Sequence, residues 1–183
     1  MKKVLMMVGS LRKESFNRSV ANVIVRELQR RDWQTEFAVL DDLPLMNQDI
    51  EFPTPTNVMR LREQVKTADA LWIVSPEYNE MIPGVLKNAL DWLSRPTKAG
   101  VFGAPDFIQD FPVVLSGAGG RKGAKVGLAH LMTLTKFMGM RPLPDSVGLR
   151  VPMAAFQTNR FDLDGDQKAA IIAQIAQLQS AVK

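Results

Sequence analysis

The stretch ALWIVSPEYNEMIPGVLKNALDWLS, residues 70–94, changes periodicity twice along its length. Ala70 to Val74 is apolar at every position, the pattern of a strand covered on both faces. Ser75 to Pro83 is turn chemistry, with Pro76 and Pro83 stiffening its two ends. From Gly84 the apolar residues Val85, Leu86, Ala89, Leu90 and Leu93 recur at helical spacing, which predicts a helix over 84–94. Pro83 falls at the helix start, where a missing N–H costs nothing. A buried strand, a polar loop and an amphipathic helix make one β-α unit.

The same unit recurs on either side. Lys3 to Val8 and Pro112 to Leu115 read as buried strands, and Gln34 to Leu40 alternates in a strand-like way. Helices are predicted from Asn17 (Val20, Ile24 and Leu28 on one face), over 56–67 (Val58, Leu61, Val65), from the Ser116–Gly123 loop to about Met138, and over 166–182 (Ile171, Ile175, Leu178, Val182). The stretch from Arg141 to Leu149 is expected to hold a last short strand. Asp41–Pro55 and Arg95–Phe111 read as loops, the second long enough to suggest a functional role. About five β-α repeats with apolar strands predict an α/β fold, a parallel sheet covered by helices. No repeat at fixed period and no second domain is visible, so 1–183 reads as one domain.

At 183 residues the chain suits one domain with a sizeable core. Cysteine is absent, which excludes disulfides, thiol catalysis and thiolate metal sites. No apolar run reaches the roughly 18 residues of a membrane span. Met1-Lys2-Lys3 leads straight into Val4–Val8, too short for a signal-peptide core, so a cytoplasmic location is expected. The net charge of +4 fits either a well-solvated surface or attraction of an anionic ligand such as a phosphorylated cofactor. Nucleic acid is disfavoured, because the basic residues are spread along the chain without interleaved aromatics.

Ligands of such sheets bind at the carboxyl ends of the strands, so the loops there carry the functional reading. The first, Gly9 to Asn17, offers Ser10, Ser15 and Asn17 as donors, Arg12 as a charged donor, and a helix N-terminus behind them. That set suits a phosphate monoester. It is neither a Walker A loop nor G-x-G-x-x-G, and the plainer alternative is a polar loop in which Ser15 or Asn17 caps the helix. In the second loop, Ser75 to Gly84, Tyr78 has a face to lay against a flat ring; the alternative is a rigid turn with surface polar residues. The third, Ser116-Gly117-Ala118-Gly119-Gly120, lets backbone approach a ligand closely, or is simply a flexible turn.

Other candidates carry less. His130, the only histidine, lies on a predicted helix with no cysteine to share a metal. Asp162-Leu163-Asp164-Gly165-Asp166 has its glycine too early for a calcium loop, and Ala173 stands where the closing Glu belongs; it reads as a turn entering the last helix. Glu77 and Glu80 have no nucleophile or histidine near them in sequence. No metal site is expected.

Taken together and in this order, Gly9-Ser10-x-Arg12-x-x-Ser15-x-Asn17, then Pro76-Glu77-Tyr78-Asn79 with Pro83-Gly84-x-Leu86-Lys87-Asn88-Ala89-x-Asp91-Trp92, then the Ser116 glycine loop, the chain resembles the NADPH-dependent FMN reductase family, which includes chromate and quinone reductases. The resemblance covers about Lys3 to Met140. It implies a flavodoxin-like three-layer sandwich with a five-stranded sheet in order 2-1-3-4-5. It implies that Ser10, Arg12, Ser15, Phe16 and Asn17 surround the FMN phosphate, that Pro76, Glu77, Tyr78 and Asn79 border the isoalloxazine, and that Ser116, Gly117, Ala118 and Gly119 reach its pyrimidine side. It implies electron flow from NADPH or NADH through FMN to a small acceptor (a quinone, azo compound, metal oxyanion or free flavin), and a homodimer or homotetramer with the flavin near a subunit interface. No catalytic side chain is expected, because the cofactor carries the chemistry. Where the family often has Gly-Lys-Pro before the fourth strand, this chain has Asp110-Phe111-Pro112, and its 95–111 loop is longer than usual. The alternatives are a flavodoxin-type electron carrier docking to protein partners, against which the basic charge argues, and a slow flavin-binding regulator.

Overall fold

The computed structural model of the protein describes residues 1–182. Four strands, β1 (Lys3–Val8), β2 (Gln34–Phe37), β3 (Ala70–Val74) and β4 (Pro112–Gly119), alternate with helices α1 (Phe16–Gln29), α2 (Thr56–Lys66) and α3 (Gly84–Ser94). Then follow α4 (Lys125–Phe137), β5 (Arg141–Pro142), β6 (Val147–Arg150), α5 (Met153–Thr158) and α6 (Gly165–Ala181). All strand pairings are parallel, in the order β2-β1-β3-β4-β5, with β6 also on β4. This is a flavodoxin-like sandwich.

Alternate residues of each strand feed opposite layers. Val4, Met6, Trp72, Val74 and Val114 pack with Val20, Ile24 and Leu28 of α1 and Ile171, Ile175 and Leu178 of α6. Leu5, Met7, Leu71, Ile73, Val113 and Leu115 pack with Val58 and Leu61 of α2, Leu86 and Leu90 of α3, and Leu128 and Leu131 of α4. Helices on both faces are the reason the strands read as unbroken apolar runs. No helix among the described residues is long and apolar enough to cross a membrane.

The fifth sheet position differs from the single strand expected at Arg141–Leu149. β5 pairs with Pro112 and Val113, and β6 with Ser116 to Gly119, leaving a gap between them. Pro142 and Pro144 have no N–H to give to a ladder, so a continuous strand cannot form there. Gln174 of α6 spans the gap instead: its buried Nε2 donates to Leu115 O at 2.9 Å and Asp145 O at 3.0 Å. The fourth strand also runs four residues beyond the expected Leu115, through the glycine-rich segment to Gly119. The acidic stretch 162–166 behaves as a helix entry: Asp164 caps α6 and forms a reciprocal capping box with Gln167.

Candidate functional site

Register places three loops at one end of the sheet. Val8 pairs with Val74, and Val74 with Ser116, so β1, β3 and β4 reach the same level. Strand order reverses here, since β2 lies outside β1 while β4 follows β3; this is the crevice where such sheets hold ligands. The cleft is lined by Ser10, Arg12, Ser15, Phe16 and Asn17 of the first loop, by Pro76, Glu77 and Tyr78 of the second, by Ala118, Gly119 and Gly120, and by Phe156 of α5.

The first loop ends in the α1 cap. Ser15 is the N-cap, and its hydroxyl accepts from Arg18 N at 3.3 Å, so the capping alternative holds for Ser15. The backbone N–H groups of Phe16 and Asn17 have no partner within the helix, and no acidic residue occupies its first turn. Asn17 does not cap. Its buried amide donates to Ala118 O at 3.0 Å and accepts from Ala118 N at 2.8 Å. It thereby pairs with β4 as another strand residue would, and it ties the first loop to the third. Arg12 is exposed; its guanidinium lies 5.4 Å from the centre of the Phe16 ring and donates to Asn159 Oδ1 at 3.0 Å.

The second loop is a tight hairpin. Tyr78 and Met81 exchange backbone hydrogen bonds of 3.2 and 3.0 Å around Asn79 and Glu80, both left-handed at φ 53° and 63°. Two left-handed residues in succession define a type I′ turn, a conformation asparagine tolerates better than most residues. Asn79 is therefore at the exposed tip and outside the cleft. Lys122 donates to Glu80, which holds the Glu80 carboxyl below its ordinary value and the Lys122 ammonium above its own. Glu77 Oε2 accepts from Gly127 N at 2.8 Å, filling the positive N-terminal end of α4 with the protein's own carboxylate. Tyr78 is about half exposed beside the cleft.

The third segment is strand where a loop was expected. Ser116 is fully buried; its hydroxyl accepts from Trp72 Nε1 at 2.9 Å and donates to Gln174 Oε1 at 2.7 Å. A Cβ at Gly117 would come within 2.3 Å of Ser75 O, so that glycine serves the packing of β4 beneath the second loop. Neither residue lines the cleft; Ala118, Gly119 and Gly120 do.

Phe156 was not singled out by the sequence. It comes from α5, beyond the three motifs, and packs edge-on against Phe16 with ring centres 5.1 Å apart. Its only signal is Pro152 opening a short helix, which says nothing about where the helix docks. A larger hollow of about 650 Å³ lies near the C-terminal ends of α3 and α4, bordered by Glu51, Arg95, Phe102 and Phe137. It shares no lining residue with the cleft formed by the three loops. Among the described residues, no group of three or more His, Cys, Asp and Glu side chains is placed to hold a metal ion.

The cleft thus brings polar and flat apolar groups together. Hydroxyls, a guanidinium and the open N-terminus of α1 share it with Pro76, Tyr78 and Phe156, and Phe156 reaches it beside Phe16 and Arg12. This arrangement suits an anion joined to a planar ring. Comparison with known proteins agrees. The NADPH-dependent FMN reductase family matches residues 2–151. An NAD(P)H-dependent FMN reductase of Pseudomonas aeruginosa is 34% identical over 183 residues, covering 99% of this chain and 95% of the relative. A 2-hydroxy-1,4-benzoquinone reductase of a Burkholderia species is 44% identical over 101 residues, 55% of each chain, so this chain matches about half of that relative's length. Among solved structures, the flavoenzyme NAD(P)H:(acceptor) oxidoreductase FerB of Paracoccus denitrificans superposes with a TM-score of 0.79 at 26% identity, covering 99% of both chains. A flavodoxin variant from Pseudomonas aeruginosa shares the fold at a TM-score of 0.59 and 15% identity, covering 98% of both chains.

Proposed function

The chain belongs to the NADPH-dependent FMN reductase family, a family that uses FMN and a reduced nicotinamide, and from that premise we propose that it is an FMN-dependent NAD(P)H oxidoreductase that reduces a small acceptor, foremost a quinone. The observation that carries this reading is the junction of Ser10, Arg12 and Ser15 with Pro76 and Tyr78 in one cleft at the switch point. The helix ends support it. The N-terminus of α4 is taken by Glu77, whereas that of α1 carries only the Ser15 hydroxyl and suits an added phosphate.

In this proposal Ser10, Arg12, Ser15 and the Phe16 and Asn17 amides hold the phosphate, and charge-assisted bonds from Arg12 give most of the discrimination against uncharged flavin. Asn17 holds Ala118 in place, so that Ala118 and Gly119 can meet the pyrimidine side of the ring. Pro76, Glu77 and Tyr78 border the isoalloxazine, with Glu77 fixing the loop through Gly127. Held by these residues, FMN would supply the hydride and electron-transfer chemistry. The protein's part is position and electrostatics, and no side chain is assigned a proton. Quinone is placed foremost because relatives bear that name; azo compounds, metal oxyanions and free flavin are the other candidate acceptors. The proposal extends to one domain over 1–183, a cytoplasmic location, and a homodimer or homotetramer, for which the exposed Phe102 and Phe137 offer an apolar face.

The test is NADPH oxidation by the FMN-loaded protein with a small quinone and no other protein. The expected result is quinone-dependent turnover. No turnover would favour the electron-carrier alternative, which needs a protein partner.

A further inference from the structure

The family match ends at residue 151, yet the residues that follow reach back to the cleft. Ala155, Phe161 and Leu163 are buried and anchor the segment on the α1 side of the sheet. Phe161 meets Phe16 with ring centres 6.0 Å apart, and Phe156 meets the same ring at 5.1 Å. One aromatic from the first loop thus packs against two from the C-terminal segment. Phe156 is still 45% exposed and lines the cleft. Asn159 ends α5 in the left-handed conformation, φ 55°, which turns the chain back toward the first loop. Its Oδ1 takes one Arg12 N–H at 3.0 Å.

A guanidinium has five N–H donors in a rigid plane. Fixing one of them on Asn159, with the plane beside the Phe16 ring, restricts where the others point. Arg12 is otherwise an exposed side chain with rotamer entropy to lose on meeting an anion. We propose that Met153–Arg160 is the outer wall of the flavin's phosphate pocket, in which Asn159 is a positioning residue that pre-orients Arg12 for the phosphate and Phe156 slows loss of the flavin to solvent. The proposal rests on the reading of the cleft as the FMN site. It makes phosphate recognition a property of the first loop and the C-terminal segment together. The consequence is selective: losing Asn159 affects flavin that carries a phosphate, whereas losing Phe156 affects any flavin.

Asn159→Gly removes the acceptor and keeps the left-handed backbone that glycine adopts readily. The full chain, stripped of flavin, is titrated with FMN and with riboflavin, following flavin fluorescence. The variants are Asn159→Gly, Phe156→Ala, Arg12→Ala and the Arg12→Ala/Asn159→Gly pair, each with its flavin-free melting temperature. Asn159→Gly should weaken FMN roughly two- to tenfold, the range of one net hydrogen bond, and leave riboflavin unchanged. In the Arg12→Ala background it should have no further effect, because it acts through Arg12. Phe156→Ala should weaken both flavins by roughly two- to tenfold, the range of an aromatic contact. If Arg12→Ala weakens FMN while Asn159→Gly binds it like the wild type, or more tightly, Asn159 does not aim the guanidinium and the proposal is overturned. Equal weakening of FMN and riboflavin by Asn159→Gly would also overturn it, leaving a purely structural role. If Arg12→Ala itself leaves FMN affinity untouched, the placement of the phosphate fails, and the wall proposal fails with it.

Discussion

Replacing Asn17 by alanine removes both bonds that join the first turn of α1 to the end of β4. Asn17 and Ala118 are each 3% exposed, so water cannot readily take the place of the lost amide. The change leaves the Ala118 N–H and C=O without the partners they have at 2.8 and 3.0 Å. Each buried group left unpaired costs about 1–3 kcal/mol, so Asn17→Ala should lower stability by about 2–6 kcal/mol. For a chain of this length each kcal/mol is worth about 2–4 °C in Tm, which puts the fall at roughly 4–24 °C. Asn17→Asp divides the effect. Its carboxylate still accepts from Ala118 N, but it now opposes Ala118 O and places a negative charge beside the proposed phosphate site. FMN affinity should therefore fall further in Asn17→Asp than in Asn17→Ala at neutral pH, and recover in part on acidification. Urea unfolding of the flavin-free protein gives the first quantity and FMN titration the second. Stability of Asn17→Ala within about 0.5 kcal/mol of the wild type would refute the clamp. An Asn17→Asp variant that binds FMN like the wild type would refute the position of the phosphate.

Four further outcomes follow from the same geometry. Tyr78→Phe should retain most of the turnover with a quinone at saturating FMN and NADPH, whereas Tyr78→Ala should loosen the flavin or alter acceptor preference several-fold, since an aromatic contact is worth about 0.5–1.5 kcal/mol; a Phe variant as inactive as the Ala variant would give the hydroxyl a chemical role. Ser116→Ala strands Trp72 Nε1 and Gln174 Oε1, so thermal unfolding should show a loss of about 2–6 kcal/mol, and a loss under about 0.5 kcal/mol would contradict the network. Arg31 holds Glu27, Lys3 holds Glu36 and Arg60 holds Asp42 below the ordinary carboxylate range. Those depressed values contribute stability that is complete at neutral pH and lost as pH falls through them, so Tm should be level near neutrality and decline below about pH 4.5. Mass spectrometry of the released cofactor should find FMN; FAD as the sole tight ligand would overturn the reading of the first loop as a monophosphate site.

The sheet and its helices were legible because burial on both faces leaves a plain mark. Ala70–Val74 and Gly84–Ser94 appear in the structure with the bounds their periodicity predicts. The division of the last strand also had a signal, Pro142 and Pro144, although the glutamine that bridges it comes from a helix some thirty residues on. Side-chain assignments within the motifs were harder. Ser116 looks like a loop donor in sequence, but its hydroxyl lies between Trp72 and Gln174, which no local pattern connects. Asn17 has the residue type of a cap or a phosphate donor, and its use as a surrogate strand partner depends on where β4 ends. Phe156 depends on the docking of a six-residue helix, which its own sequence does not encode.

The most direct test mixes the FMN-loaded protein with NADPH in the absence of oxygen and follows the visible flavin absorbance. An FMN-dependent NAD(P)H oxidoreductase should bleach within the turnover time and regain its colour when a quinone is added. Flavin that stays oxidised with both NADPH and NADH, on protein shown to be saturated with FMN, would contradict it.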